Sequence, residues 1–186
     1  TISGNQAKGK GGGIHVACVG ELYATNSTIS GNTSLEDGGG IYLDGLAYLD
    51  HVTITDNTST NGGGITFQGS GEKGVIRGQL NYRNTIIAGN HVRLEEYGVV
   101  ECLAGRHADL VLNENNWVAD GTCESAFSGD PLLMPLADNG GYTFTHVLSE
   151  DSPARYVVPQ EDCLLEFDQR GIPRISPCDV GAVENE

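Results

Sequence analysis

Three aspartates, Asp44, Asp50 and Asp56, are the tidiest acidic candidates for chemistry in this chain. A glycoside hydrolase needs two carboxyl groups about 5 to 10 Å apart, and Asp44 and Asp50 could share one face. Lys73, Arg77 and Arg83 lie near one another and would serve as the base of a polysaccharide lyase, beside carboxylates holding calcium. No catalytic signature surrounds either set, so a role other than enzymatic is expected. The histidines, His15, His51, His91, His107 and His146, are scattered without HxH or HExxH spacing. Hydrogen bonding, not metal binding, is their expected use. "DGTCE" and "DNGG" contain oxygen ligands but lack the spacing of an EF-hand, and read as turns. The acidic loops leave room for weak calcium binding; no other cofactor is expected.

What would hold these residues is a repeat. "TISGN" stands at Thr1 and again at Thr28, with echoes "TITDN" from Thr53 and "IIAGN" from Ile86. "GGGIHV" from Gly11, "GGGIYL" from Gly38 and "GGGITF" from Gly62 travel with it. Thr1 to Thr28 is 27 residues, Thr28 to Thr53 is 25, and Gly38 to Gly62 is 24. Such a period marks a solenoid, whose units bury their apolar faces only against one another.

Within the unit the apolar residues alternate. Ile14 and Val16, Ile41 and Leu43, Ile65 and Phe67 face in, with His15, Tyr42 and Thr66 facing out. Leu22 and Ala24, then Ala47 and Leu49, form a second inward set with Tyr23 and Tyr48 outside. The "TIS" segments place Ile2, Ile29, Ile54 and Ile87 inside as a third. Period two means strand, and no 3.6-residue period competes. The expected fold is all-β: a right-handed parallel β-helix of about 25 residues per coil, wound in the hand that parallel crossovers prefer. Stacked coils put equivalent residues into columns.

The repeated motifs then have architectural causes. Asn5, Asn32, Asn57 and Asn90 form an asparagine ladder at one corner, each amide donating to the next coil's carbonyl. Asparagine also tolerates the left-handed backbone expected of that corner. The triplets Gly11, Gly12 and Gly13, Gly38, Gly39 and Gly40, and Gly62, Gly63 and Gly64 make a second tight corner where stacked side chains would collide. No helix follows them to receive a phosphate. The Asn-X-Ser/Thr triplets at Asn26, Asn32 and Asn57 arise from the same composition.

Bulk properties narrow the partners. At 186 residues with a net charge of −15, the chain repels phosphate backbones and anionic lipid, which excludes nucleic acid. No apolar run approaches the roughly 18 residues of a membrane-spanning helix. Cys18, Cys102, Cys123, Cys163 and Cys178 are widely spaced, unlike zinc ligands, and read as disulfides of a secreted protein with one thiol left over, assigned to Cys18.

The longer motifs carry a family resemblance. "GGGI" with "ISGN" resembles the short repeats of chlamydial-type polymorphic outer-membrane proteins. "NTIIAGN", "GDPLLMPLADNGGYTFTHVLSEDSPA" and "DQRGIPRISPCDVGAVE" resemble the C-terminal β-helix region of bacterial choice-of-anchor Q domain proteins, with departures at Met134 and Tyr142. That resemblance implies export, a cell-surface location and the pairings Cys102–Cys123 and Cys163–Cys178, and no defined reaction.

The chain divides into coils at 1–126 and an irregular, disulfide-linked C-terminal cap at 127–186, which would shield the last coil's strand edges. "GSGEKGVIRGQ" from Gly69 is expected to protrude, since Ile54 to Ile87 is 33 residues. Arg170 should pair with an acid such as Asp168 or Asp179. The first coil's open edge calls for preceding coils of the same chain, here missing, or a stacked identical subunit. The function expected is that of an extracellular or cell-surface structural and adhesive element, a filament by head-to-tail stacking being the sharper version. A glycan or cell-surface ligand would meet its exposed columns. The alternative is a carbohydrate-active enzyme or glycan-binding module on the same scaffold.

Overall fold

A computed structural model describes residues 1–69, 78–93 and 100–185. Most of the expected loop from Gly69, with Lys73 and Arg77, lies outside the described residues. The alternating segments form strands that pair in parallel with their counterparts one repeat away. The largest sheet contains β1 (Ile2–Ser3), β4 (Glu21–Ser30), β7 (Leu46–Thr55), β10 (Gln79–Arg83), β11 (Ile86–Ala88), β14 (Asp109–Glu114) and β15 (Trp117–Val118). A second stacks β2 (Gln6–Ala7), β5 (Thr33–Ser34), β8 (Thr58–Ser59) and β12 (His91–Val92). The third stacks β3 (Ile14–Val16), β6 (Ile41–Leu43), β9 (Ile65–Phe67) and β13 (Cys102–Ala104). Parallel strands in stacked sheets, joined by tight corners, make this an all-β, solenoid-like body. No helix of the described residues is long and apolar enough to cross a membrane.

Register creates the columns. Ile2, Ile29, Ile54, Ile87 and Val118 follow one another on the inside, as do Ile14, Ile41, Ile65 and Cys102. All but Ile2, which is 38% exposed on the first winding, pack with Leu43, Leu49, Phe67, Leu80 and Tyr82 into one continuous core. Each buried aliphatic side chain there contributes about 1.5–3 kcal/mol over its exposed state.

The corners refine the expectation. In the column before the asparagines, Gly4, Gly31, Asp56 and Gly89 carry the left-handed backbone, with φ of 69°, 66°, 57° and 70°. The ladder asparagines themselves do not. In the triplets, Gly38 has φ of 68°, and a Cβ on Gly39 would lie 2.3 Å from the Gly63 carbonyl oxygen. The first glycine is thus required by conformation and the second by the close approach of the next winding.

Tyr42 faces out of its strand, yet it is fully buried. Lys10 lies 4.2 Å over its ring, His15 packs edge-on, and Gln68 Nε2 donates to its hydroxyl. Long neighbours, not the core, cover it.

Phe127–Gly129 pair with Asn116–Ala119 along the open edge of the last strand, and the rest of the segment, to residue 185, docks along the flank of the stack. Short antiparallel bridges hold the segment together, at Leu133–Leu148, Ala137–Thr145, Val158–Cys178 and Phe167–Pro173. It builds a second apolar cluster in which Leu148, Ala154, Val158, Cys178 and Val180 meet the outward side chains Ile86, Ala88 and Trp117. Its contacts run from the last winding, where Asn115 Nδ2 donates to Asp162 Oδ2 at 2.9 Å, to the first, where Gln169 Nε2 donates to Thr1 Oγ1 at 2.8 Å. At the end of the core sits Cys102–Cys123, Cα atoms 5.8 Å apart, with the Cys123 carbonyl accepting from Tyr82 Oη at 2.7 Å. Cys163–Cys178 lies within the flanking segment, and Cys18 is a free, half-buried thiol.

Candidate binding groove

The asparagine column is a continuous hydrogen-bonded chain. Asn5 Nδ2 donates to Asn32 Oδ1, Asn32 Nδ2 to Asn57 Oδ1 and Asn57 Nδ2 to Asn90 Oδ1, each at 2.9 Å. Each oxygen also accepts the preceding asparagine's backbone N–H. The amides donate backward as well, Asn57 to Ile29 O and Asn90 to Ile54 O, so they reach the next winding through its amide oxygen and the preceding winding through its backbone carbonyl. The chain ends on a carboxylate: Asn90 Nδ2 donates to Glu101 Oε2 at 2.7 Å, and Asn90 N to the same oxygen at 3.1 Å. Burial pushes the Glu101 carboxyl up to about 7, against the lowering pull of the Asn90 amide.

A second polar column runs along the flank: Asn26, His51, Asn84 and Asn115, with φ of 43°, 51°, 51° and 51°. Each kinks its winding and reaches toward the docked segment. Asn26 Nδ2 donates to Phe167 O at 2.7 Å, His51 Nδ1 lies 3.3 Å from Gly181 O, and Asn84 Nδ2 donates to Asp162 O. Burial drives the His51 pKa down to about 3, leaving a neutral imidazole. Sequence reasoning missed this column. The signal was present, a polar residue three positions before each inward Ile29, Ile54, Ile87 and Val118.

The motif "DQRG…PR…CDVGAVE" is spent on docking. Arg170 Nε pairs with Asp168 Oδ2 at 2.9 Å, and Asp168 Oδ1 accepts the backbone N–H groups of Arg170 and Ile172. Arg174 binds Glu184 Oε2 at 3.2 Å, Gly181 O at 2.9 Å and Asn26 Oδ1 at 2.9 Å. A Cβ on Gly181 would lie 2.8 Å from Ile86 Cδ1 and from Thr53 Oγ1. These groups clamp the segment to the coils.

One arrangement has the wiring of a nucleophile and its base. His146 Nδ1 lies 2.7 Å from Met134 O, so that nitrogen carries the proton, and Nε2 accepts from Ser30 Oγ at 2.8 Å. Ser30 and His146 are each only 2% exposed. A substrate cannot reach the hydroxyl, and the pair acts as another tie between flank and coil.

The three aspartates are not brought together. Asp44 lies 3.8 Å from His15 and accepts from Tyr42 Oη, Asp56 is 4.0 Å from His146, and Asp50 pairs with Arg83 Nη2 at 2.6 Å. His91 lies in β12 and His107 in an exposed turn with φ of 57°. Among the described residues, no three His, Cys, Asp or Glu side chains converge as a metal site.

Aromatic and charged groups do meet on the outer face of the largest sheet. Tyr23, Tyr48, Asn81 and Leu112 form one outward column, and Thr25, Asp50, Arg83 and Glu114 the next. Between them runs an open groove of about 340 Å³. The Tyr23 and Tyr48 rings stack at 4.9 Å and 10°, and Tyr23 is 68% exposed. Tyr23 Oη donates to Glu21 at 2.9 Å, and this hydrogen bond raises its pKa, keeping the phenol neutral. The Asp50 hydrogen bond likewise raises the Arg83 pKa. Asp50 to Arg83 is the same 33-residue step as Ile54 to Ile87, so the pair was readable from the repeat, although sequence reasoning grouped each with its sequence neighbours. A larger recess of about 500 Å³ lies over the end of the core, against Phe67, Ala108, Leu110 and Cys123. It lacks the meeting of aromatic rings with a fixed ion pair that marks the groove.

A model of the Chlamydia polymorphic membrane protein repeat matches residues 1–17 and 26–44, the segments holding the first two "TISGN" and "GGGI" motifs. No curated protein and no solved structure matches the chain.

Proposed function

We propose that the chain is a bacterial cell-surface element, a right-handed parallel β-helix whose work is structural and adhesive. The observation that carries this reading is the way the molecule is tied. An uninterrupted asparagine chain links successive windings, and residues 127–185 bind the stack from its last winding to its first. Such a body resists bending and leaves the opposite outer columns free for contact. The repeat match supports a surface location, because the matching model describes a membrane-protein repeat of bacteria. The C-terminal motifs support a further kinship with choice-of-anchor Q domain proteins, and the two disulfides suit an oxidising compartment.

The first winding presents Asn5 as the exposed end of the ladder. Antibody raised against the folded chain tests the reading. It should label intact cells of the producing bacterium without permeabilisation, and the purified chain on beads should bind target cells or matrix. Labelling only after permeabilisation contradicts a surface role.

A further inference from the structure

We propose that the recess over the end of the core binds a segment of another protein, one that carries a large apolar side chain next to a lysine or arginine. This deepens the adhesive reading by giving the chemistry of a partner, and it rests on that reading.

The recess is a layer of the core left unfinished. Val16, Leu43, Phe67 and Ala104 succeed one another in a single column, so the large Phe67 is followed on the last winding by the smallest side chain of the four. Leu110, stacked on Leu80, stands beside it with Ala108, and an open space of about 500 Å³ results. The far wall is fixed before anything binds. The Cys102–Cys123 disulfide ties that wall to β13. Tyr82 Oη donates to Cys123 O at 2.7 Å, and Asn113 Nδ2 donates to Glu124 O at 2.6 Å. A site built in advance spares its ligand the cost of ordering it.

A polypeptide fits this place because strand edges frame it. Among the described residues β13 pairs only with β9, and β14 only with β10. Elsewhere at this end the chain covers its own edges: Phe127 bridges to Trp117 of β15, and Thr122 Oγ1 accepts the Cys102 N–H. The rest of β13 and the start of β14 receive no strand. A segment laid over them finds backbone partners, and its alternate side chains point into the recess. The bulge at Val111 keeps this ladder short, so the inserted side chain supplies most of the hold.

Charge sets what stands beside that side chain. The charged residues lining the recess are both acids, Asp109 and Glu124, and Glu124 is exposed. With −15 on the whole chain, an acidic segment is repelled and a neighbouring cation is attracted. A second copy of this chain brings the same excess of acid, which disfavours it as the occupant.

Subtractive selection tests this. A randomised peptide library displayed on phage is selected on the immobilised chain and depleted on its Ala104→Phe variant, whose larger side chain fills the recess. Ala104 is exposed, so this variant should keep the parent melting temperature. Enriched sequences should place an aromatic or large aliphatic residue next to lysine or arginine. As synthetic peptides they should bind the parent more weakly in high salt. They should bind Ala104→Phe at least about tenfold less tightly, the loss of one buried apolar side chain, and Glu124→Gln roughly threefold less tightly. Tyr156→Ala, on the flanking segment, should change nothing. Failure to enrich any sequence overturns the proposal, and so does enrichment of acidic or uncharged ones. Should the larger side chain disturb the fold, Glu124→Gln carries the test, and unchanged affinity with unchanged salt dependence overturns the proposal. A parent chain that dimerises in sedimentation while Ala104→Phe stays monomeric assigns the recess to a second copy and overturns it as well. Surface labelling of intact cells does not depend on the recess, so a failed selection beside positive labelling removes this partner and keeps the surface role.

Discussion

Glu101 takes the place in the ladder where another asparagine would continue it. The backbone and side-chain N–H groups of Asn90 converge on its carboxylate, as those of Asn57 converge on the Asn90 amide oxygen. The difference is charge. An acid whose pKa rises from 4.5 unfolded to about 7 folded binds more protons in the folded state between those values. Stability therefore falls as pH rises through that window and stays low above it. Glu184, also pushed up to about 7 by burial, acts in the same sense. His51 opposes them: lowered from 6.5 to about 3, it costs stability as pH falls below 6.5. Asp179, whose pKa burial also raises, acts with the two glutamates, and three acids against one imidazole leave a net gain on acidification down to about pH 4.5, followed by loss. Thermal melts from pH 4 to 9 should show a maximum near pH 5. Glu101→Gln, which restores an amide oxygen to the ladder without charge, should stabilise the protein by roughly 2 kcal/mol at pH 8 and hardly at all at pH 5. Equal effects at both values would show that the carboxylate is not the group under strain.

At the scale of elements, β4 and β7 each run ten residues through a left-handed corner, and that corner is what the flanking segment grips. Arg174 joins Asn26 on the coil to Glu184 and Gly181 on the segment. Removing a partner from a buried ion pair typically costs about 3–5 kcal/mol. In hydrogen exchange, Arg174→Ala should release the segment first, exposing the amides of Val158, Cys178 and Ala182 while those of Asn32 and Asn57 remain protected. Simultaneous loss in both regions would mean that coils and segment form one unit. The strands were legible in the sequence because a repeat shows its own register: Ile29 over Ile54 over Ile87 could be read by counting. The docking was not. Many of its contacts join residues far apart in sequence, Ser30 with His146 and Asn26 with Phe167 by more than a hundred positions, and no periodicity connects such partners. Tyr42 was read as outward for the right reason, but the lysine and glutamine that cover it come from other parts of the repeat.

For the whole molecule, stacking in register decides everything else. It turns isolated asparagines into a ladder, places Asp50 beside Arg83, and lines up the two tyrosines that make the groove. The acids that looked catalytic in the sequence, Asp44 and Asp56, are kept apart by the same register, each with its own partner. Paired cysteines test the stacking most directly. In a Cys18→Ser background, Tyr23→Cys with Tyr48→Cys puts thiols on directly opposed residues of β4 and β7, where neighbouring strands lie about 4.8 Å apart, within disulfide reach. Tyr23→Cys with Leu112→Cys separates them by two further strands. Mild oxidation followed by peptide mass spectrometry should find the 23–48 cross-link in high yield and no 23–112 cross-link. Failure of the first pair to link, or linking of the second, would contradict the stacked arrangement.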